Sequence, residues 1–428
     1  MREVEHLLIG GGLACATCAQ SLREGGATGE IVLVGREPDP PYNRPECSKG
    51  YLRGEESREE PLVQPKEFWS GQNVELLTRT SVTALDLDTR VAKLSDKQEI
   101  RFEKALIATG ANVRRLNVAG CELEQIHYLR TLGNSDAIRA GVADAERVVL
   151  IGGSYIGCEV AASLRMMGKQ ATIVMQEDVT LERGFGKTAG RFFQGLLESH
   201  GITVHGADGL ERFEGDTFAG TLSRAHPEGH KQAGGRVGKV VTTNGLELAA
   251  DAVVIGAGVT PDVALAKRAG LEIGERGGVL CSSRLETSVP GVFAAGDIAE
   301  YDSPLHGTHV RIEHWDVAFN HGKTAAANML GGNTPHEVVP YFYSVLADWG
   351  ELEYVGPAYE WDEEVVRGSY EQANFTTWYL KDGRVVAALT FGRPDDLDTA
   401  RRLIAERPVL DEAQREKLAS LDADLAAL

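Results

Sequence analysis

The sequence predicts an α/β protein in which two Rossmann-like dinucleotide-binding domains are followed by a C-terminal α+β domain. Three observations carry this prediction: a strand, glycine turn and helix pattern opening at Gly10, a second copy opening at Gly152, and a β-rich C-terminal stretch with a hairpin signal at Asp382-Gly383. A single glycine turn of this kind is weak. Two, each with the strand before it and the helix after it, are mutually supporting, and they imply two dinucleotides bound side by side.

The first copy reads HLLIGGGLAC, His6 to Cys15: an apolar strand ends in Gly10, Gly11 and Gly12 and runs through Leu13 and Ala14 into a helix-like ATCAQSLRE. Such glycines let backbone N–H groups approach a pyrophosphate at a helix N-terminus. The second reads VVLIGGSYIGCEVAASL, Val148 to Leu164, holds Gly152, Gly153, Tyr155 and Ile156, and is followed by a second apolar strand, ATIVM. Both depart from the full pattern, because Cys15 replaces the third glycine of one and Ser154 the second glycine of the other. A third element, TSVPGVFAAGD, is an apolar strand ending in Gly296 and Asp297. Strand C-termini face the ligand crevice of a doubly wound domain, so Asp297 is placed to accept hydroxyls of a bound flavin. ALIATGA, with Ala108, Thr109 and Gly110, is echoed by AVVIGAGVTPD, with Gly258, and both read as strands that close a nucleotide domain.

Composition limits the alternatives. A length of 428 residues suggests about three domains. The formal net charge of −19 argues against nucleic-acid binding, which needs a basic footprint. No apolar run reaches the roughly 18 residues that span a bilayer, and the first strand begins by His6, so the expectation is a cytoplasmic protein with no membrane segment. Six scattered cysteines make no disulfide framework and are read as reduced.

With these motifs in place, the chain resembles the FAD- and NAD(P)H-dependent pyridine-nucleotide oxidoreductase superfamily. PYNRPECSKGYL, YLRTL, GGSYIGCEVAA and RIEHWDVAFNHG are similar to its NADH-ferredoxin reductase branch, putidaredoxin reductase among them, and to apoptosis-inducing factor. The resemblance runs from about His6 to about Arg402. It implies a first FAD-binding part at 1–116, an NAD-binding domain at 117–258, a second FAD-binding part at 259–332 and a C-terminal α+β domain at 333–428. It also implies a flavin site to which Arg44, Val82 and Arg130 contribute.

At the adenine end of the FAD, the strand EIVLVGRE should finish in an acid for the ribose about 20 residues past the glycines. Relatives place it where this chain has Arg36, and Glu37 is the favoured ligand. In the second copy the corresponding place is Met175, and Glu177 is the expected ribose ligand. A carboxylate there repels a 2′-phosphate, which favours NADH over NADPH. Arg183 is read as too far along the chain to clamp such a phosphate.

Lys49, in the helix-like SKGYL, and Glu159 of the second glycine motif are the expected catalytic constellation, since resemblance brings them together beside the flavin N5. A partly buried lysine there stabilises developing negative charge, and the glutamate holds it. Glu313, His314 and Trp315 fall over the flavin and nicotinamide, and Tyr343 stands where relatives carry a tryptophan. Cys47 is read in two ways, as a redox thiol beside the flavin or, preferably, as a small buried hydrophobe. Cys15 and Cys18 mimic a redox CxxC but lie in the helix that receives the pyrophosphate. No CxxxxC pair occurs, which argues against glutathione-reductase chemistry.

The leading reading is an NADH oxidoreductase that passes hydride to FAD and electrons onward to a ferredoxin-like iron–sulfur protein of an oxygenase or P450 system, acting as monomer or homodimer. Ferredoxins being acidic, an acidic reductase needs a local basic face for encounter. The alternatives are an NADH-sensing flavoprotein like apoptosis-inducing factor and a Cys47-dependent peroxide or disulfide reductase. One stretch exceeds the family pattern, Thr217 to Lys239, with His226 and His230 among several basic residues. It reads as a mobile surface loop and not a metal site, and no metal is expected anywhere in the chain.

Overall fold

The computed structural model describes residues 1–216, 235–356 and 358–428. Its first layer is a parallel sheet whose strands lie in the order Val74–Leu77, Ile31–Val34, Arg2–Ile9, Glu99–Ile107 and Val292–Ala294. The strand Ile31–Val34 is buried along its whole length, as is Leu7–Ile9 of its neighbour. Uninterrupted apolar runs of this kind are what a parallel sheet covered on both faces requires. The long strand Glu99–Ile107 divides its edge: Arg101 pairs with Val91 of the antiparallel strand Val91–Leu94, and Ala105 pairs with Val292. Helix Trp315–Met329 lies against helix Leu13–Glu24 so closely that a Cβ on Gly322 would stand 2.6 Å from the Ala14 carbonyl oxygen.

A second parallel sheet follows the order Thr203–His205, Gln170–Val174, Arg147–Ile151, Ala252–Ile255 and Ile126–Tyr128. An antiparallel trio, Leu210–Gly215, Val237–Thr242 and Glu247–Ala249, stands beside it. The chain enters and leaves this unit through Ala111–Val113 and Val259–Pro261, which pair antiparallel with each other. The two crossings therefore satisfy one another's backbone groups.

The C-terminal part is an antiparallel sheet in the order Tyr341–Leu346, Gly350–Val355, Arg384–Phe391, Asn374–Lys381 and Glu363–Ser369. The hairpin read from Asp382-Gly383 is present, with φ of 50° and 71° at the two turn residues, as a two-residue primed turn needs. Helix Asp396–Glu406 buries Leu397, Ala400 and Leu403 against Trp378 of this sheet. Near the C-terminus the chain forms helix Glu412–Ala419. Beyond its end the buried Arg367 guanidinium donates to the carbonyl oxygens of Ser420, Leu421 and Ala423.

Of the stretch Thr217 to Lys239 read as a mobile loop, residues 217–234 lie outside the described residues, and Val237 to Lys239 belong to the strand Val237–Thr242 and not to a loop. Among the described residues no group of three or more His, Cys, Asp and Glu side chains gathers as metal ligands. No helix among them is long and apolar enough to cross a membrane.

One carboxylate ties the second sheet together at its base. Asp251 accepts from the backbone N–H groups of Glu146 and Arg147 at 3.1 and 2.8 Å and from the Arg147 guanidinium at 2.6 Å. The guanidinium hydrogen bond outweighs partial burial and holds the carboxyl down at about 2. A carboxyl lowered on folding stabilises above its unfolded value near 4 and ceases to do so as pH falls towards 2. Asp251→Asn should cost about 1 kcal/mol at pH 7, allowing for solvent screening. In urea melts from pH 7 to pH 2 the difference from wild type should shrink towards zero at the acid end, and a difference constant with pH rejects the assignment.

Candidate functional site

Immediately beyond the C-terminal ends of the first sheet lies a cavity of about 390 Å³. Its wall begins at the first glycine turn. Gly10 has a φ of 139°, and a Cβ there would lie 2.1 Å from the Ala108 carbonyl oxygen, so only glycine lets the two strand ends approach. Gly12 is the N-cap of helix Leu13–Glu24, with no side-chain cap and no acid in the first turn. Leu13 and Ala14 join it on the wall, and a Cβ on Gly12 would meet nothing within 4 Å. Free helix N–H groups facing open space suit the pyrophosphate of a dinucleotide.

Arg36 and Glu37 both reach this wall. Arg36 is held by hydrogen bonds to Asp262 at 2.8 Å and Asn112 at 2.6 Å. Glu37 accepts from Tyr42 and from Arg44, each at 2.6 Å. Burial pushes the Glu37 carboxyl up, but Arg44 and Tyr42 pull it on balance below its ordinary range. Its oxygens are thus already engaged, a competition that the linear spacing does not reveal. Arg44 also donates to the Arg130 carbonyl at 2.7 Å, and Arg130 donates to Asp297 at 2.6 Å. Val82, Ala108, Thr109, Gly110 and Gly296 complete this part of the lining.

At the other functional group of the cavity, Lys49 Nζ stands 3.0 Å from Glu159 Oε1, with the two residues 8% and 4% exposed. Each member of the pair has further partners. Ser48 donates to Glu159 at 2.5 Å and Ser344 at 2.6 Å, while Lys49 donates to the Pro45 carbonyl at 3.2 Å. The helix expected to carry Lys49 is broken at that residue. Lys49, with φ −117° and ψ −127°, separates the 3₁₀ turn Arg44–Ser48 from helix Gly50–Arg53, and this break gives the side chain its own direction. Its ammonium lies 5.8 Å above the Tyr343 ring, so Tyr343 is also at the site.

Glu313, His314 and Trp315 line the cavity as well. Glu313 accepts from Arg311 at 2.5 Å, and Trp315 Nε1 donates to Asn43 at 2.8 Å. His314 packs at 4.8 Å on Phe342, and burial pushes its imidazole down to about 4. Its Nδ1 is buried with no hydrogen-bond partner. A polar ligand with a donor or acceptor at that point is what such an orphan requires, and a flavin ring edge fits it.

The structure does not bring Gly152, Gly153, Glu177 or Gly258 to this cavity, whereas Tyr155, Ile156 and Glu159 of the same motif reach it. Gly152 and Gly153 make the close approaches of a second nucleotide turn: Cβ atoms there would lie 2.5 Å from the Gly256 oxygen and 2.1 Å from Met175 Sδ. Helix Tyr155–Met166 again begins without a side-chain cap or an early acid. The Tyr155 ring packs 4.3 Å from Phe342, between the two glycine turns. Gly258 has a φ of 83° and accepts from Arg114 N–H at 3.0 Å, at the crossing between the sheets. The Arg183 guanidinium, read from the sequence as too far along to clamp a phosphate, is ion-paired with Glu177. Leu181, at φ 58° with its N–H on the Gly153 carbonyl, turns the chain back.

Three site residues carried no signal of their own: Ser48, Ser344 and Phe342. Ser344 lies 185 positions from Glu159, and nothing local marks a serine in a strand as a carboxylate donor.

Cys47 is buried beside Tyr42, Tyr51 and Leu52. Burial pushes its thiol up to about 12, with Arg44 opposing but not prevailing. Cys15 and Cys18 are free and fully buried. Cys47 should therefore resist iodoacetamide in the folded protein at pH 8 and react only on unfolding or near its raised value. Cys47→Ser should leave NADH-driven ferricyanide reduction within about twofold of wild type, measured in the steady state. Fast alkylation at pH 8, or loss of that activity, would make Cys47 a redox group.

The pyridine nucleotide-disulphide oxidoreductase family matches residues 4–322, and a reductase C-terminal family matches residues 348–428. The chain is 33% identical over 429 residues to the 5,5′-dehydrodivanillate O-demethylase ferredoxin reductase subunit of Sphingobium sp., covering 100% of this chain and 99% of that one. It is 32% identical to putidaredoxin reductase of Pseudomonas putida, over 94% of this chain and 92% of that one. Among solved structures, the ferredoxin reductase for the CYP199A2 system from Rhodopseudomonas palustris superposes with a TM-score of 0.89 at 29% identity, covering 99% of each chain. The covalent putidaredoxin reductase–putidaredoxin complex matches with a TM-score of 0.89 at 30% identity, over 100% of this chain and 98% of that one. Two nucleotide turns, the first lining the cavity and the second sending Tyr155, Ile156 and Glu159 of its helix to it, together with these matches, show that the chain belongs to the pyridine nucleotide-disulphide oxidoreductase family, whose cofactors are FAD and NAD(H).

Proposed function

We propose that this chain is the reductase component of a multicomponent oxygenase or cytochrome P450 system, oxidising NADH and delivering electrons to a ferredoxin-like iron–sulfur protein. The observation that carries the reading is the buried Lys49–Glu159 pair in the dinucleotide cavity, its lysine from the first segment and its glutamate from the second nucleotide motif. FAD, when bound, supplies acceptance of two electrons as hydride and their release one at a time. The chain supplies orientation and charge. Gly10 to Ala14 hold the pyrophosphate, Arg130 and Asp297 present a donor and an acceptor, and Lys49 sets a positive charge against the wall where the second motif arrives. Glu177 takes the ribose of NADH, steadied by Arg183.

The relatives named as ferredoxin–NAD(+) reductase components of anthranilate and benzene dioxygenase systems support the partner class. Six free cysteines suit the reducing cytoplasm, where we place the protein. The reading through a Cys47 thiolate lacks its chemical basis, because that thiol is protonated at neutral pH.

Purified protein with NADH and a plant-type or putidaredoxin-type [2Fe–2S] ferredoxin should bleach the ferredoxin at a catalytic rate. NADH oxidation that leaves every such ferredoxin oxidised, with a reduced flavin persisting for minutes, would favour the NADH-sensing alternative instead. Lys49→Ala should slow flavin reduction by about tenfold or more in stopped flow, through loss of charge at the site. NADH should be preferred over NADPH by about tenfold, roughly 1.4 kcal/mol, and Glu177→Ala should narrow that ratio. Equal kcat/KM values for the two coenzymes in wild type reject Glu177 as the discriminating group.

A further inference from the structure

Helix Trp315–Met329 carries a histidine that the site described above does not use. His321 is completely buried. Its position is fixed by the neighbouring Gly322, whose backbone lies against Ala14, Thr17 and Cys18 of the first nucleotide helix with no room for a side chain. Held there, His321 Nδ1 accepts a hydrogen bond from the Gly296 N–H at 3.2 Å. Gly296 has a φ of 72° and directly precedes Asp297, which takes the Arg130 guanidinium on the cavity wall.

An imidazole nitrogen that accepts carries no proton, so the ring proton is on Nε2. Nε2 is buried with no hydrogen-bond partner. It shares its surroundings with the rings of Tyr301 and His336, which meet His321 edge-on at 4.9 and 4.5 Å. His336 is itself tied to Thr324 of the same helix at 3.0 Å. The other tautomer, or an imidazolium, would aim an N–H at the Gly296 N–H and leave that backbone donor unpaired in the interior.

We propose that His321, as the neutral Nε2–H tautomer, is the positioning residue that fixes the Gly296–Asp297 turn in the geometry that holds FAD. The inference rests on the FAD reading of the cavity. His321 touches no ligand itself. It acts through one backbone hydrogen bond, with Gly322 setting its reach. Burial, with His336 adding to it, pushes the His321 ring well below the ordinary histidine range, in keeping with a group that stays uncharged.

The test compares three holoproteins: wild type, His321→Gln, which keeps a side-chain acceptor, and His321→Leu, which keeps bulk without one. Flavin dissociation should quicken by about tenfold in His321→Leu, with a displaced flavin midpoint potential, while His321→Gln stays within about threefold of wild type. A His321→Leu protein that retains flavin like wild type, or a His321→Gln protein as leaky as His321→Leu, overturns the proposal. Wild type without bound flavin would fail the FAD reading and leave no rates to compare, so the two failures are distinguishable. If His321→Leu does not fold, imidazole ¹⁵N shifts of the wild-type holoprotein at pH 7 decide: a bare Nδ1 with a protonated Nε2 supports the role, and a protonated Nδ1 ends it.

Discussion

A buried ion pair is the constraint on which the assembly turns. Removing Lys49 and Glu159 from water costs several kcal/mol per ion, and their mutual attraction offsets it only when the remaining lone pairs and protons are satisfied. Here the satisfying groups come from far apart in sequence. Ser48 and Pro45 belong to the first segment, Glu159 to the second nucleotide helix and Ser344 to the C-terminal sheet. A chain in which any one of these parts were displaced would leave a buried charge short of partners. The pair is thus a statement about registry: it is tolerable only when all three parts of the chain are docked in one arrangement.

That arrangement is reached through backbone contacts that exclude side chains. Gly10 against Ala108 and Gly152 against Gly256 bring a turn onto a neighbouring strand end in each sheet, and Gly322 lets the Trp315–Met329 helix lie directly on Leu13–Glu24. Each contact fixes a helix N-terminus or a helix face to within a fraction of an ångström, because close-packed backbones have no soft side chain to yield. The first turn lines the cavity itself, and the Gly322 contact seats the helix whose His321 accepts from the Gly296 N–H.

The features legible in the sequence are those written locally. The glycine turns need positive φ and close approach at particular positions, the parallel strands need unbroken apolar runs, and Asp382-Gly383 needs only its two residues to declare a hairpin. Features that depend on distant chain were not legible. Lys49 reads as helical because its neighbours are, and only the fold shows the break that points it at Glu159. Arg183 reads as too far along the chain to clamp a phosphate, and only the fold, through the left-handed turn at Leu181, shows it ion-paired with Glu177. Glu37 reads as a free acid until Tyr42 and Arg44, a few residues on, are seen to claim both oxygens. In each case the missing information is direction and competition between partners, which residue spacing does not encode.

The electrostatic character of the cavity follows from the same burial. His314 is pushed down to about 4, Tyr343 up to about 12, and Cys47, just behind the wall, up to about 12, with desolvation the leading cause in every case. Each is therefore moved away from neutrality towards its uncharged form. Enzymes that move protons do the reverse, tuning an acid or base towards the working pH. Most of the charges at this wall are paired, among them Lys49 with Glu159, Arg130 with Asp297, Arg44 with Glu37 and Arg36 with Asp262. A site of fixed, compensated charge lined by neutral rings is poorly made for acid–base or thiolate chemistry. It is well made for holding two dinucleotides in a constant field while hydride and electrons pass between them, the part of the reaction to which a protein contributes position and potential and no proton of its own.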